Sequence, residues 1–257
     1  MLGDVMGEAG LKTLEEKLPA LMAEQEPGFV IVNGENSAGG FGVNENALGR
    51  ILAAGADIIS TGNHIWEKRD FWPFLESEER ILRPANYPQG PGRGWIKVNK
   101  KTTDALKTFL VINLQGRELM NSIDCPFRCF DEIIAAAAND KPIVLVDFHA
   151  ESSREKEAFG FYADGRAAVV AGTHTHVQTA DEKILPKGSA YISDLGMTGV
   201  NDAVIGMEPK ICIDRARNQV LYHMEAAASG GCTRIQGLIA DISDDSGKAV
   251  SIQRISV

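Results

Sequence analysis

Short apolar runs that end in polar residues recur along the first two thirds of the chain. Four of these runs, each with the polar residue or residues that follow it, are 29–32 with Glu35, 57–60 with His64, 143–148 with His149, and 167–171 with His174 and His176. Buried parallel strands are near-continuous apolar runs, and their carboxyl ends meet at one edge of a sheet. The pattern therefore predicts a parallel sheet whose strands deliver histidines and carboxylates to one shared site.

Helical periodicity separates these runs. Leucines at positions 11, 14, 18 and 21 predict an amphipathic helix over 11–24, which ends before Pro27 and Gly28. Further helices are predicted at 45–54, where Gly55 closes the helix, at 130–138 and near 152–161, and a further strand at 109–113. Strands that alternate with helices indicate parallel pairing through helical crossovers.

The C-terminal third has a different pattern. It contains four short runs typical of strands, without clear helices between most of them: 190–193, 220–224, 238–241 and 250–255. The segment 86–101 is rich in Gly, Pro and Asn and predicts a surface loop. We find no strong linker, internal repeat or low-complexity tract. We expect an α/β protein with two mixed sheets packed together, in a single domain spanning residues 1–257.

Composition and charge restrict the classes of molecule that the protein is expected to bind. A chain of 257 residues can bury a full core, and its net charge of −9 comes without any block of lysines or arginines. Broad binding to nucleic acid or to a membrane surface relies on a basic face, so both are disfavoured. An acidic protein can still bind a phosphate ester if metal cations supply positive charge locally.

The chain shows no sign of export or membrane insertion. No apolar stretch approaches the roughly 20 residues that span a bilayer, and no secretory signal precedes the first helix. The four cysteines are sparse and form no CxxC pair: Cys125, Cys129, Cys212 and Cys232. We interpret them as ordinary buried or partly buried thiols, and we expect a reducing, cytoplasmic compartment.

Several of the polar positions suggest metal chemistry, and the histidine pair and Glu35 also have simpler interpretations. In a loop, His174 and His176 could converge on two neighbouring ions; alternatively, one is functional and the other only bonds backbone. Glu35 could bridge two cations with its two oxygens, or simply cap a loop. An Asn63 amide oxygen can bind a cation without adding charge, which leaves His64 free to transfer protons.

The combined set of donors favours a metal pair. Six of them come from five separate segments: Asp4, Glu35, Asn63, His149, His174 and His176. Oxygen and nitrogen donors without thiolate suit iron, manganese or zinc. The set exceeds the needs of one tetrahedral ion, whereas two cations about 3.5–4 Å apart would use it fully. Such a pair can deprotonate a bridging water and hold a phosphoryl oxygen, and His64 could protonate the leaving oxygen.

Other residues carry weaker predictions. The glycine-rich segment 37–42 could let backbone amides approach a phosphate, or it could be a flexible turn near the site. His223 lies in an alternating run and is interpreted as a structural strand residue. Arg117 and Arg166 could contact phosphate, but solvated surface roles are favoured.

Taken in order, the motifs resemble those of the calcineurin-like metallophosphoesterases, and most closely their YmdB-like bacterial branch. The motifs that carry the resemblance are Gly3-Asp4-Val5, Asn33-Gly34-Glu35-Asn36, Gly62-Asn63-His64, Asp147-Phe148-His149-Ala150-Glu151 and Gly172-Thr173-His174-Thr175-His176. Segments that begin at Arg83, Asn113 and Asp194 are also similar to that branch. The resemblance runs almost end to end.

The resemblance implies a fold, a site and an activity. The fold would be a four-layer α/β/β/α sandwich. Asp4, Glu35, Asn36 and His176 would hold a first metal, and Glu35 would bridge to a second. The second metal would be held by Asn63, His149 and His174, with His64 as the general acid. The implied activity is phosphodiester hydrolysis, with 2′,3′-cyclic nucleotides as the favoured substrate.

The chain departs from the family pattern at its start. Most calcineurin-like enzymes carry a histidine two residues after the first aspartate, where this chain has Met6; Asn36 is the natural substitute in this branch. Only three residues precede Asp4, where the family has a full strand, so either the N-terminus is shortened or the first strand is a stub.

Three functions follow from these observations. The leading hypothesis is a dinuclear phosphodiesterase that uses in-line attack of a metal-bridging hydroxide on a small phosphodiester. A broader phosphomonoesterase or nuclease on the same site is the alternative enzyme, and a nucleotide-sensing regulatory protein is the alternative outside enzymes. We expect no membrane partner, do not expect nucleic acid, and allow for a homo-oligomer.

Overall fold

The computed structural model describes residues 1–102, 105–137, 141–228 and 231–257. The strands are β1 Asp4–Val5, β2 Ile31–Asn33, β3 Ile58–Ser60, β4 Trp95–Lys101, β5 Leu106–Gln115, β6 Ile143–His149, β7 Val169–Thr173, β8 Lys183–Ile184, β9 Ala190–Ile192, β10 Met197–Val200, β11 Thr233–Ile242 and β12 Ala249–Ser256. The helices are α1 Gly7–Gln25, α2 Glu45–Ala54, α3 Trp72–Ser77, α4 Pro126–Ala137, α5 Ser153–Ala163 and α6 Pro209–Asn218.

The strands form two mixed sheets. In the order β1-β10-β11-β12, four strands hydrogen-bond side by side, and β2 pairs in parallel with β3. Backbone bonds between Leu2 and the β2 residues Ile31 and Asn33, at 2.8 and 3.1 Å, join these two groups, which we call the first sheet. The second sheet has the order β4-β5-β6-β7-β9-β8, with β5, β6, β7 and β9 parallel.

Alternation along β2 and β3 explains how these two short strands of the first sheet are buried on both faces. Val32 and Ile59 belong to a cluster with the apolar faces of α1 and α2, whereas Ile31 and Ile58 belong to a cluster with residues of the second sheet. A third cluster lies between the second sheet and helices α4 and α5, and includes Phe130. The polar ends of the central strands therefore project from a well-buried core.

Most sequence predictions for the first two thirds are confirmed within a few residues. Helix α2 has the predicted bounds, because Asn44 accepts a hydrogen bond from the amide of Ala47 at its start and Gly55 adopts a left-handed conformation at its end. The predicted helix at 130–138 begins earlier, at Pro126, and its predicted last residue, 138, lies outside the described residues.

Two predictions of secondary structure were wrong, and helix α6 was missed. The segment 86–101 is not entirely loop, since its last seven residues form β4, an edge strand whose largely polar surface hides the usual apolar signal. The run 220–224 is not a strand; it follows the left-handed end of α6 at Gln219 and is largely exposed. Helix α6 was missed because it has no buried residue, and so lacks the apolar stripe that predicts a helix.

No helix among the described residues is long and apolar enough to cross a membrane. The four cysteines are unpaired thiols, three partly buried and Cys232 exposed.

Candidate functional site

The two sheets bring their polar strand ends to one edge. β6 and β7 run in parallel so that His149 lies beside Thr173, and β2 and β3 run in parallel so that Asn33 lies beside Ser60. A hydrogen bond of 3.1 Å from Asn33 Nδ2 to Asp147 Oδ2 joins the two pairs across the sheets. The loops that follow these strands therefore open into the same space.

The first group of donors, which we call the histidine cluster, consists of Glu35, Asn63, His149 and His174. His149 Nε2 lies 3.0 Å from each of three atoms: Glu35 Oε1, Asn63 Oδ1 and His174 Nδ1. A single ring nitrogen carries at most one proton, so it cannot donate to all three. Ligand atoms that share one cation at about 2.0–2.2 Å lie roughly 3 Å apart, so the spacing fits a metal ion.

The electrostatics of this cluster are those of a buried ion pair in the absence of a cation. Burial opposes the charge of Glu35, but the charge of His149 and the hydrogen bond from it prevail and lower the pKa of Glu35 to about 2. Burial likewise opposes a charge on His149, yet Glu35 and Asp4 raise the pKa of His149 to about 9. Burial and the neighbouring His149 lower the pKa of His174 to about 3.

The second group, which we call the aspartate cluster, consists of Asp4, Asn36 and His176 and shares Glu35 with the first. Asn36 Nδ2 lies 3.4 Å from Asp4 Oδ1, 3.3 Å from Glu35 Oε1 and 3.2 Å from His176 Nε2. Rotation of the amide by half a turn would place its oxygen there as a ligand. Burial raises the pKa of Asp4 to about 7, although His176 opposes that rise. A cation beside Asp4 would favour its charged form.

The turn that carries His174 and His176 is held in an uncommon backbone conformation. Both histidines have positive φ, at 104° and 63°. Residues other than glycine adopt such angles only where their surroundings impose them. Here Asp194 accepts the amide of Thr175 at 3.0 Å and pairs with the ammonium of Lys156 at 2.8 Å, and both side chains are buried. This ion pair fixes the turn between the two clusters.

The lack of a side chain at Gly62 leaves open the space that the ligand atoms of the histidine cluster surround. A Cβ at Gly62 would lie 2.2 Å from His149 Nε2 and 2.5 Å from Glu35 Oε2. Any larger residue would therefore occupy the place where these ligand atoms converge. The crowded donors and the missing side chain together fit a bound cation.

His64 lies at the rim of the site. Its amide donates to Glu35 Oε2 at 3.0 Å, while its ring, about a quarter exposed, lies 3.4 Å from Glu67 Oε1 and contacts the edge of Phe41. The ring is therefore accessible to an incoming molecule.

The structure brings all eight residues singled out from the sequence to this edge, and it adds a network that the sequence reasoning missed. Beneath His149 lie four buried polar residues: Asn33, Ser60, Asp147 and Thr173. A charged residue inside an otherwise apolar strand, as Asp147 is, was the available signal. Burial raises the pKa of Asp147, although His149 and three hydrogen bonds oppose the rise. Lys156 gave no signal, because a lysine on a polar helix normally faces solvent.

The weaker predictions are resolved differently. The segment 37–42 is a turn in which the amides of Ala38, Gly39 and Gly40 donate to carbonyls within 36–42. His223 is exposed and lies outside any strand, so its prediction was wrong. Arg166 is a surface residue paired with Asp131, and Arg117 is exposed.

A family model described as YmdB-like protein matches residues 1–255. The chain belongs to the YmdB-like family. Its similarity to a curated relative extends over its whole length. It is 44% identical over 259 residues to the 2′,3′-cyclic-nucleotide 2′-phosphodiesterase of Bacillus subtilis, covering all of this chain and 95% of that protein.

Solved structures agree with this membership. The crystal structure of a novel phosphatase from Mycoplasma pneumoniae superposes with a TM-score of 0.92 at 30% identity, covering all of this chain and 91% of that one. The 5′-nucleotidase of Candida albicans is only 11% identical, with a TM-score of 0.55 over 96% of this chain and 46% of its own. The latter shows that the α/β fold with mixed sheets is shared with a distant protein.

Proposed function

We propose that this YmdB-like protein is a metal-dependent phosphodiesterase that hydrolyses 2′,3′-cyclic nucleotides. The observation that carries the proposal is the position of His149 Nε2, 3.0 Å from three donor atoms of three other residues. The name of the Bacillus subtilis relative supports the substrate class.

Two cations account for the whole donor set. One cation would be held by Asp4, Asn36 and His176. The other would be held by Asn63, His149 and His174, and Glu35 would bind both cations. Iron, manganese and zinc all suit these oxygen and nitrogen donors. Bound cations supply positive charge that offsets the charge of the phosphoryl oxygens and acidifies water.

The protein's own groups would then orient and complete the reaction. Glu35 is fully buried and low in pKa, so it stays charged and acts as a fixed anchor rather than a proton carrier. His64 is the accessible ring beside Glu35, and we assign it the proton that the leaving ribose oxygen requires. The hydrogen bond from the amide of His64 to Glu35 holds His64, the proposed proton donor, beside the two clusters of metal ligands.

We extend the proposal to architecture. The three apolar clusters support helices α1 and α2 packed on the first sheet, the two sheets packed together, and α4 and α5 packed on the second. This order of layers is α/β/β/α, in one domain over residues 1–257. A cytoplasmic location and homo-oligomeric assembly stay predictions.

The test is hydrolysis by protein stripped with chelator and reloaded with manganese, iron or zinc. We expect release of a nucleoside monophosphate from a 2′,3′-cyclic nucleotide only after reloading. Product analysis identifies which ribose oxygen leaves, and a 3′,5′-cyclic nucleotide tests ring specificity. Failure of every reloaded form to hydrolyse the 2′,3′-cyclic substrate would overturn the proposal. In that case, turnover of a phosphomonoester or an RNA would indicate a broader phosphoesterase, and nucleotide binding without turnover would indicate a sensor.

A further inference from the structure

The buried network beneath His149 is a closed set of hydrogen bonds. Thr173 Oγ1 lies 2.9 Å from His149 Nδ1 and 2.7 Å from Asp147 Oδ1. The other carboxylate oxygen, Asp147 Oδ2, accepts from the hydroxyl of Ser60 and from Asn33 Nδ2. His149, Asp147 and Thr173 are buried, so no solvent is needed to complete these bonds.

Counting protons in this network leaves one consistent arrangement. Asp147 Oδ2 accepts from Ser60 and Asn33, and Asp147 Oδ1 accepts the single hydrogen of the Thr173 hydroxyl. The Thr173 oxygen must then accept from its other close neighbour, which is His149 Nδ1. Asn33 Nδ2, at 3.3 Å, is a second donor to the same oxygen and strengthens this direction.

We infer that Asp147, acting through the Thr173 hydroxyl, holds the proton of His149 on Nδ1 and thereby keeps Nε2 directed at the donor clusters as a ligand atom. Thr173 and Asp147 are positioning residues in this arrangement, since Thr173 bonds the ring of His149 at Nδ1 rather than at Nε2 and Asp147 acts through Thr173. A bare Nδ1 would face the Thr173 oxygen with no hydrogen between the two atoms, and the proton of the neutral ring would lie on Nε2, where a cation has to bind.

The same network reaches Glu35. Asn33 Oδ1 accepts the amide of Glu35 at 3.1 Å, while Asn33 Nδ2 donates to Asp147. The backbone of the shared carboxylate and the ring of His149 are therefore positioned by one connected group, which spans both sheets. Removing the Thr173 hydroxyl should release His149 but leave the Asn33–Glu35 bond in place.

The inference rests on the proposed function only where it treats His149 Nε2 as a metal ligand. The position of the proton on the His149 ring can be measured in the metal-free protein. We therefore test it first by long-range ¹H–¹⁵N NMR of histidine-labelled protein in chelator. In the neutral ring of His149 we expect the proton to reside on Nδ1, where it bonds the Thr173 oxygen, and Nε2 to carry none. A neutral His149 that carries its proton on Nε2 would overturn the inference.

The matched variants are Thr173→Val, which keeps the shape but removes the hydroxyl, and Thr173→Ser, which keeps the hydroxyl. With Zn²⁺ alone as the probe, calorimetric titration should show binding about 10–100-fold weaker in Thr173→Val and close to wild type in Thr173→Ser. Equal Zn²⁺ affinity in wild type and Thr173→Val would also overturn the inference. If neither variant folds, the wild-type NMR result still decides it.

This design separates the two claims. Wild-type protein with the Nδ1 proton and Zn²⁺ binding that depends on Thr173, but without hydrolysis of cyclic nucleotides, would refute the proposed function and support the inference. Hydrolysis of the cyclic nucleotide by a protein whose neutral His149 carries its proton on Nε2 would support the proposed function and refute the inference.

Discussion

The two donor clusters differ in how the chain holds them. In the histidine cluster, His149 ends a seven-residue strand that is bonded on both sides, and its ring is fixed from behind by Thr173. In the aspartate cluster, Asp4 begins a two-residue strand, and the ring of His176 is held from behind by a backbone carbonyl, that of Ile205, at 2.9 Å. The first cluster therefore has one ligand, His149, on a central strand, whereas the ligands of the second lie on a strand stub and in loops.

This difference shows that ligands of the same chemical type can be held in place by very different numbers of backbone contacts. Central parallel strands fix the position of a ligand through their neighbours on both sides, whereas a loop ligand depends on its own few contacts. We therefore expect the cation of the aspartate cluster to be the more easily lost. Because Glu35 belongs to both clusters, it is the first residue with which to test their independence.

The largest effect should come from Glu35→Gln. It removes the charge that both clusters share, so we expect loss of both cations and a fall in turnover of at least roughly 10³-fold. Metal content by mass spectrometry and hydrolysis of a 2′,3′-cyclic nucleotide measure the two effects. Glu79→Gln, an exposed carboxylate paired with Arg93, is the matched control. Retention of one full equivalent of metal in Glu35→Gln would argue against a shared ligand.

Lys156→Met should affect both clusters through the turn that joins them. It leaves the buried carboxylate of Asp194 without its partner, which typically costs about 3–5 kcal/mol. The loss should appear as a lower denaturation midpoint, partly restored in the Lys156→Met/Asp194→Asn double variant. Lys210→Met, which breaks an exposed pair with Asp214, should change the denaturation midpoint far less, because solvent screens that pair. Equal costs for the two single variants would contradict the role given to the buried pair.

A pair of ligand substitutions compares the clusters directly. His176→Asn should weaken binding at the aspartate cluster and leave the histidine cluster near wild-type affinity, and His149→Asn should do the opposite. We expect the affected site to weaken by at least about 100-fold, as judged by metal equivalents after dialysis. If either substitution removes both cations, the clusters do not bind independently.

The smallest effect concerns the metal-free protein and pH. The folded pKa of His149, about 9, exceeds its unfolded value of 6.5, so the folded state holds this proton more tightly and loses stability as pH rises between these values. Asp4, raised from 3.8 to about 7, acts in the same direction near neutral pH. In chelator, the melting temperature should therefore fall by several degrees from pH 6.5 to 9. A rising melting temperature over this interval would refute the charge assignment of the Glu35–His149 pair.

The sequence predicted the site better than it predicted the periphery of the fold. Glu35, Asn63, His149 and His174 follow buried apolar strands, and such strands have a clear signal because both faces are covered. Edge strand β4 and helix α6 lack that signal because much of their surface faces solvent. The pairing of Lys156 with Asp194 depends on two segments 38 positions apart, which no local pattern reveals.

The ligands of the histidine cluster come from opposite sheets, with Glu35 and Asn63 following strands of the first and His149 and His174 following strands of the second. A bound cation would therefore cross-link the two sheets at this edge. Its removal should leave the apolar interior closed but allow the polar edge to open more often. We expect chelation to accelerate amide hydrogen exchange at the carboxyl ends of β2, β3, β6 and β7, while the centres of β5 and β11 stay protected.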